Sequence, residues 1–132
     1  MIAVDSSVWI DHFNQVDSAP ATVLHELIEV DATIGIVDVC LTEILQGFRR
    51  ERDVDLVTPS LLSFRVLPTV SVTDHLLAAE LYRAARRRGR TVPATIACII
   101  AAVCVREQAV LLHNDRDFDQ LAGCTPLRVM AV

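Results

Sequence analysis

The chain contains no lysine: arginine fills all 12 Lys/Arg positions, against 17 aspartate and glutamate residues. The formal net charge is therefore −5, which argues against a protein that attracts nucleic acid through overall positive charge. Aromatic residues are scarce at 5%, whereas hydrophobic residues of all kinds make up 52%. This composition excludes a disordered chain and predicts an ordered globular core.

Signals for disulfides, membrane insertion and secretion are missing as well. The longest apolar stretch, from Val92 to Val105, is shorter than the roughly 20 residues that span a bilayer. The first residues do not combine a basic segment with a following apolar one, as a signal peptide would. The four cysteines form no C-x-x-C pair, so we interpret them as reduced thiols of a cytoplasmic protein without membrane association. They are Cys40, Cys98, Cys104 and Cys124.

Short apolar runs alternate with amphipathic segments along the whole sequence. This alternation predicts an α/β fold, with a central, mostly parallel sheet flanked by helices on both faces. No linker, repeat or low-complexity segment divides the 132 residues, so residues 1–132 are predicted to form one domain. The predicted strands lie at 2–4, 34–37, 65–67, 110–112 and 127–129.

Local signals predict where several helices begin and end. Ser7 is a candidate cap for the first helix, and Thr73 for a long helix that Gly89 ends. Residues 49–64 are predicted to be helical, with an interruption before Pro59 because proline disfavours a helical residue ahead of it.

Three acidic residues lie close to the ends of predicted strands, which is where open α/β sheets bind ligands. Asp5 and Asp115 follow the strands at 2–4 and 110–112, and Glu43 lies on the helix after the strand at 34–37. Taken singly, Asp5 is also explained as a helix cap and Asp115 as part of a solvated turn. Glu43 is harder to explain, because the neighbouring Ile44 and Leu45 are predicted to be buried and a buried charge needs a partner.

If the three carboxylates converge, they cannot all stay ionised without a partner. A divalent cation would relieve the repulsion, and hard oxygen ligands select Mg²⁺ or Mn²⁺. Carboxylate sites for these ions typically support phosphoryl transfer or phosphodiester hydrolysis.

Four stretches, in order along nearly the whole chain, resemble the motifs of PIN-domain proteins of the VapC toxin type. Each motif alone is a weak signal, whereas four at fitting intervals are a strong one. The stretches are Ile2–Asp11 (IAVDSSVWID), Leu41–Gly47 (LTEILQG), Gly89–Ile96 (GRTVPATI) and Leu112–Phe118 (LHNDRDF).

This resemblance implies a compact α/β fold with an acidic metal-binding pocket and endoribonuclease activity that depends on Mg²⁺ or Mn²⁺. Asp5 and Asp115 match the family's metal ligands, and Glu43 matches an acid that binds directly or through water. Asp117 matches an auxiliary acid, while Ser7 and Asn114 match polar positions that support the site.

The sequence departs from the family pattern at Ala97, where that pattern has an aspartate that ligates the metal. An alanine cannot ligate a cation, so we expect this chain to be inactive or weakened. Two explanations stay open: an engineered inactive variant of a toxic nuclease, or a naturally degenerate member. We favour the first because the surrounding motif is otherwise intact.

The resemblance also implies partners. It predicts an RNA substrate, a homodimer, and a VapB-type antitoxin that lays an arginine-bearing segment across the acidic pocket within a hetero-oligomer. Despite the net negative charge, arginines at the end of the long helix and beside Asp115 are candidate contacts to RNA phosphates. The arginines of the helix end are explained equally well as solvated cations that suit the helix dipole. The candidates are Arg86, Arg87, Arg90 and Arg116.

Two other functions compete with this interpretation. Phosphatases of the haloacid dehalogenase type also begin with a strand that ends in aspartate, but they need a second aspartate where this chain has Ser7, and they need a lysine. A non-catalytic module that binds only antitoxin or RNA is the stronger alternative, because Ala97 would be tolerated there.

Overall fold

The computed structural model describes residues 1–132, and its sheet contains five short strands. They are β1 (Ile2–Val4), β2 (Ile34–Val37), β3 (Arg65–Leu67), β4 (Val110–Leu112) and β5 (Arg128–Val129). The strands are all parallel and lie in the order β3-β2-β1-β4-β5. All five predicted strands are therefore present.

Seven helices connect the strands. They are α1 (Ser6–Phe13), α2 (Ala19–Glu29), α3 (Asp38–Leu45), α4 (Glu51–Leu62), α5 (Ser71–Arg87), α6 (Thr95–Glu107) and α7 (Arg116–Ala122). The helices divide into two packed groups: α1 packs on α2 and α3, and α3 packs on α4, whereas α5, α6 and α7 pack on one another. This is the predicted α/β architecture, with helices on both faces of a parallel sheet.

The hydrophobic core is one cluster of 29 buried residues that includes side chains of the three central strands. Strand β2 is buried along its whole length. Helix α6 is buried through five consecutive positions, which are Ile100, Ala101, Ala102, Val103 and Cys104. Such an apolar helix is typical of a segment enclosed on most sides, and it explains the long apolar run in the sequence.

Strand β1 lies between β2 and β4, and the chain reverses its direction of travel across the sheet at this point. After β3 at one edge, α5 and α6 carry the chain back past β1 to β4. Ligands of open α/β sheets bind at such a reversal, outside the carboxyl ends of the two strands. The topology therefore places the candidate site where β1 and β4 end.

The first helix begins two residues earlier than predicted, because its cap is Asp5 instead of Ser7. The Asp5 side chain accepts a hydrogen bond from the Ser7 backbone N–H at 3.0 Å, while Ser6 is already helical. The prediction of Ser7 as the cap was wrong because aspartate and serine cap equally well, and only the strand end decides between them.

Two other helix predictions also need correction. Helix α4 continues through Pro59. Proline has no N–H to donate to the Asp55 carbonyl, but Pro59 and Asp55 are both exposed, so water can donate to that carbonyl instead. Helix α5 begins at Ser71 instead of Thr73, and the Val70 N–H is bound by the Asp74 carboxylate at 2.6 Å. The end of α5 agrees with the prediction, because Gly89 adopts φ +73° and the Arg90 N–H closes onto the Ala85 carbonyl.

Candidate metal centre

Asp5 and Asp115 meet because the strands that precede them are neighbours. Asp5 directly follows β1, and its N–H donates to the Leu112 carbonyl at the end of β4 at 2.9 Å. Asp115 lies a few residues beyond β4 and caps α7. Glu43 reaches the same place from α3, which begins directly after β2.

These acids line one cavity of about 200 Å³ at the carboxyl edge of the sheet. Asp5, Glu43, Asp115 and Ala97 all contribute to its wall, as does Ser7. The structure therefore brings together the three predicted acids and the position at which the family pattern has a fourth.

Asp5 is the most buried of the acids, with 3% of its surface exposed. One carboxylate oxygen, Oδ2, accepts hydrogen bonds from the backbone N–H and the hydroxyl of Ser7, and the Cys40 thiol lies 3.9 Å from Oδ1. Burial raises the pKa of Asp5 above its usual value; the hydrogen bonds from Ser7 oppose this rise, and the negative charge of Asp115 adds to it.

Glu43 is partly buried, and the Ser6 hydroxyl donates to its Oε1 at 3.0 Å. Burial raises the pKa of Glu43, the Ser6 hydrogen bond lowers it, and the charges of Asp5 and Asp115 raise it further. Asp5 and Glu43 thus hold their protons more tightly than free carboxyls do, first because they are buried and then because other acids lie close by.

Asp117 is placed beside the cavity and does not line it. Its N–H donates to Asp115 Oδ1 at 2.9 Å, and its carboxyl is close enough for its charge to raise the pKa of Cys98 after the larger effect of burial. The pKa of Asp117 is itself raised, by burial first and then by the charge of Asp115. This position agrees with an auxiliary acid near the cavity.

Ser7 and Asn114 form a chain of hydrogen bonds around Asp5. The Asn114 N–H donates to the Ser7 hydroxyl oxygen at 3.0 Å, and that hydroxyl donates to Asp5. The Asn114 side-chain amide donates to Asp11 Oδ2 at 2.8 Å, and the same oxygen accepts from Ser18 at 2.9 Å. The two predicted supporting residues therefore fix the position of Asp5 relative to the β4–α7 loop.

Ala97 is buried in the first turn of α6 and lines the cavity together with the three acids. The carboxylate oxygens of Asp5, Glu43 and Asp115 form a donor set that suits a hard divalent cation. Ligand atoms of Asp5 and Glu43 lie within 4.8 Å of each other and of the Cys40 thiol, whereas Asp115 lines the same cavity outside this group, and Ala97 adds no donor.

The four arginine candidates differ in their surroundings. Arg86 and Arg87 are exposed at the end of α5, and Arg116 is exposed at the start of α7, next to the cavity. Arg90 donates to the Gln120 carbonyl at 3.3 Å, and its guanidinium lies so close to Gly123 that a Cβ there would clash with Nη1. Arg90 therefore joins the loop before α6 to the end of α7.

Sequence reasoning missed three residues of the site. Ser6 hydrogen-bonds Glu43, Asp11 orients Asn114, and Cys40 lies with Asp5 and Glu43 in a group whose ligand atoms are within 4.8 Å of one another. Ser6 could have been found, because the residue after a strand-terminal aspartate shares its position at the sheet edge. The contacts of Cys40 and Asp11 depend on the packing of α3 and α1 at the sheet edge, which no local pattern specifies.

None of the helices is both long enough and apolar enough to cross a bilayer. The four cysteines are free thiols; Cys40, Cys98 and Cys104 are buried, whereas Cys124 is only partly buried and lies outside the core.

The chain is similar to known proteins over nearly its whole length. The profile of the PIN domain matches residues 2–123. Ribonuclease VapC11 of Mycobacterium tuberculosis is 36% identical, and the match covers 97% of this chain and 96% of that protein. A VapC ribonuclease of Mycobacterium bovis matches with the same identity and coverage.

Solved structures with the same fold support this assignment. The VapBC2 complex of Rickettsia felis, bound to a DNA fragment from its promoter, gives a TM-score of 0.76 at 17% identity, covering 98% of each chain. Mycobacterium tuberculosis VapC20, a toxin that cleaves the sarcin–ricin loop, gives 0.69 at 18% identity, covering 97% of this chain and 99% of that one. The chain belongs to the PIN-domain family and is of the VapC type.

Proposed function

We propose that this protein is the toxin of a type II toxin–antitoxin system and that its fold is built for Mg²⁺- or Mn²⁺-dependent hydrolysis of RNA phosphodiester bonds. The observation that carries the proposal is the convergence of Asp5, Glu43 and Asp115 on one cavity at the reversal point of a parallel sheet. The 36% identity to VapC ribonucleases supports the reaction class.

Asp5 and Asp115 would hold the cation directly, and Glu43 would bind it directly or through water. When bound, the ion supplies a water of lowered pKa and stabilises negative charge on the phosphate. The raised pKa values of Asp5 and Glu43 fit this role, because a cation would favour the ionised forms that burial disfavours.

Neighbouring residues keep these acids in place and contact the substrate. Ser7 orients Asp5 through two hydrogen bonds, and Asn114 in turn holds Ser7. Asp117 acts as an auxiliary acid beside Asp115, and the exposed Arg116 is suited to bind a phosphate next to the scissile bond. Arg86 and Arg87 would contact RNA farther along, while the contact of Arg90 with Gln120 favours a structural role.

Ala97 makes this chain an inactive or weakened form. Its methyl group leaves an apolar patch between three acids, so a cation bound there would lack one ligand. We favour a disabled nuclease over a naturally degenerate one, because the other acids and their supporting serines are all in place.

A VapB-type antitoxin is the proposed partner. Solved neighbours of this fold include toxin–antitoxin complexes from Rickettsia felis and Klebsiella pneumoniae. An arginine from the antitoxin would pair with the acids of the cavity, since a guanidinium binds carboxylates through two parallel hydrogen bonds. We further propose that the toxin forms a homodimer within this complex and acts in the cytoplasm, where its free thiols would stay reduced.

A non-catalytic module that binds antitoxin or RNA is the second candidate, and Ala97 is the observation that favours it. The two candidates predict different results when an aspartate is placed at position 97. A degenerate module would stay inactive, whereas a disabled nuclease would regain activity.

The test compares this chain with its Ala97→Asp form, both free of antitoxin, on a mixed RNA pool with Mg²⁺, Mn²⁺ or EDTA. We expect only the Ala97→Asp form to cut RNA, and EDTA to stop it. Absence of cutting by both forms with either metal would reject the nuclease in favour of the binding module.

A further inference from the structure

A second and larger cavity opens beside the acidic one. It has a volume of about 930 Å³, and Ser7 and Asp115 line both cavities. The two spaces are therefore neighbours that meet at Ser7 and Asp115, one of the acids of the smaller cavity. We call this larger space the C-terminal groove, because Val129, Met130, Ala131 and Val132 form one of its sides.

The polar lining of the C-terminal groove contains Arg116 and Asn114 beside two carboxylates, Asp115 of the acidic cavity and Asp119, which lies 3.1 Å from His113 Nε2. Arg116 is exposed and takes part in none of the ion pairs or side-chain hydrogen bonds of the structure, so its guanidinium is available to a ligand. The Asn114 side-chain amide donates to Asp11, and the side-chain carbonyl of Asn114 accepts no hydrogen bond, so this carbonyl is available to a ligand. A guanidinium suits phosphate, and an amide carbonyl suits the amino or imino edge of a base.

Apolar groups also line the groove. Val129 and Met130 are half-buried side chains at the end of β5, and Pro20 adds a ring from the start of α2. Apolar side chains of this kind can pack on the face of a base or on a ribose. The groove thus offers separate contacts for a phosphate, a base edge and a base face, which are the three parts of a nucleotide that proteins recognise in single-stranded RNA.

We propose that the C-terminal groove holds one or two nucleotides of single-stranded RNA on one side of the scissile phosphate. In this arrangement Arg116 binds a phosphate and the Val129–Met130 surface packs on a base. The volume is at the upper end of the roughly 300–1,000 Å³ of typical ligand sites, which leaves room for more than a single base. This inference rests on the proposed function and adds to it the path of the substrate.

The groove explains how a protein with a net charge of −5 can bind RNA. Within the groove, phosphates would meet positive charge only at Arg116, so binding there would depend on a few local contacts. The arginines at the end of α5 do not line the groove. An RNA path through the groove and a path along α5 are therefore distinct and can be separated by experiment.

The first test is a crosslinking map on the chain as it stands, which needs no catalysis. The probe is a 12-nucleotide single-stranded RNA of randomised sequence that carries 4-thiouridine, and the crosslinked residues are identified by mass spectrometry. We expect crosslinks to residues 129–132 and to the Asn114–Arg116 loop. Crosslinks confined to the end of α5, or their absence from the groove, would overturn the proposal.

The second test uses two groove variants in the Ala97→Asp background. Arg116→Gln removes the cation, and Ala131→Trp fills the groove from an exposed position. We expect each to raise the KM for RNA about tenfold, as befits one lost charge-assisted contact, with a smaller effect on kcat. The matched controls Arg52→Gln and Ala79→Trp lie on exposed faces of α4 and α5 outside the groove and should leave KM unchanged.

The outcomes separate this inference from the proposed function. Cleavage with an unchanged KM in both groove variants would overturn the groove alone. If the two groove variants lost antitoxin binding but kept the same KM for RNA, the groove would hold a peptide, and the proposal that it holds RNA would be overturned. Failure of the Ala97→Asp form to cut RNA would reject the nuclease, and the crosslinking map would still decide whether RNA lies in the groove.

Discussion

At the scale of single residues, the acidic cavity concentrates negative charge that the fold itself does not neutralise. No arginine or histidine forms an ion pair with Asp5, Glu43 or Asp115. Only hydroxyl, thiol and backbone N–H groups hydrogen-bond these carboxylates. The repulsion among these carboxylates lowers the stability of the metal-free fold, and functional sites commonly have such an effect.

Asp5→Asn should make the metal-free protein more stable at pH 7, by about 1 kcal/mol. Asparagine caps a helix as well as aspartate does, so the cap on α1 is kept while a buried charge and its repulsion with Asp115 are removed. Urea unfolding of the two forms measures the difference. Asp5→Ala is the control: it loses the cap and should show a smaller gain or a net loss.

The pH dependence of stability gives the same account a second test. Because the pKa values of Asp5 and Glu43 are raised in the folded state, the folded protein binds their protons more tightly than the unfolded chain does. Their contribution to stability is fully present below about pH 4, the usual range of free carboxyls, and is lost as pH rises through the raised values. Asp5→Asn should reduce this loss in metal-free protein, and an unchanged pH profile would contradict the account.

Most of the acidic site could be predicted from the sequence, because Asp5 and Asp115 mark the ends of apolar runs. The alanine at 97 was identified only through the resemblance, since nothing in its local pattern distinguishes it from any other core alanine. The contacts of Cys40 with Asp5 and of Asp11 with Asn114 could not be predicted, because they depend on how α3 and α1 pack at the carboxyl edge of the sheet.

At the scale of elements, a buried ion pair joins α5 to α6. Asp74 is fully buried, and Arg106 donates to its two oxygens from Nε at 2.9 Å and from Nη2 at 3.1 Å. Arg106 Nη2 also donates to the Pro68 carbonyl at 2.8 Å, so the pair fixes the loop after β3 as well. Burial alone would raise the pKa of Asp74, but the hydrogen bonds from Arg106 and Val70 outweigh it and lower the pKa.

Arg106→Ala should destabilise the protein by about 3 kcal/mol, because it leaves Asp74 charged and buried without its partner. Because the pKa of Asp74 is lowered in the folded protein, the ion pair stabilises the fold at pH values above the usual pKa of an aspartate. This stabilisation is lost as the pH falls through the lowered pKa. The loss on substitution should therefore shrink in acid. The control Arg128→Ala removes one exposed hydrogen bond to the Gln108 carbonyl and should cost less than about 1 kcal/mol.

The elements themselves were more predictable than their boundaries. All five strands follow from short apolar runs, whereas the first residues of α1 and α5 do not follow from the serine and threonine caps. In both places an aspartate binds the free N–H groups, and for Asp74 the reason is its tertiary contact with Arg106. Pro59 was predicted to interrupt α4, but the sequence alone does not show that this face of the helix is exposed.

At the scale of the whole molecule, topology and charge act together. The order β3-β2-β1-β4-β5 brings Asp5 and Asp115 to one edge, although 110 positions separate them in the sequence. The absence of lysine and the net charge of −5 leave few cations to meet RNA away from the site. We therefore expect recognition to depend on local contacts more than on a general electrostatic field.

The affinity for single-stranded RNA should depend only weakly on salt. If one to three arginines contact phosphates, a plot of log affinity against log salt concentration should have a slope between about −0.7 and −2. Fluorescence anisotropy of a labelled 12-nucleotide RNA with this chain would measure the slope. A slope steeper than about −4 would indicate an extended basic surface and contradict this view of the molecule.

The central claim is that positions 5, 43, 97 and 115 surround one divalent cation, and Mn²⁺ binding by calorimetry tests it most directly. Three metal-free proteins are compared: this chain, its Ala97→Asp form, and Ala97→Asn, which matches the size of aspartate without its charge. The account predicts that Ala97→Asp binds Mn²⁺ at least about tenfold more tightly than the other two, because it alone regains the missing carboxylate. Equal affinity in all three forms would show that position 97 does not face the cation, and would contradict the site as described.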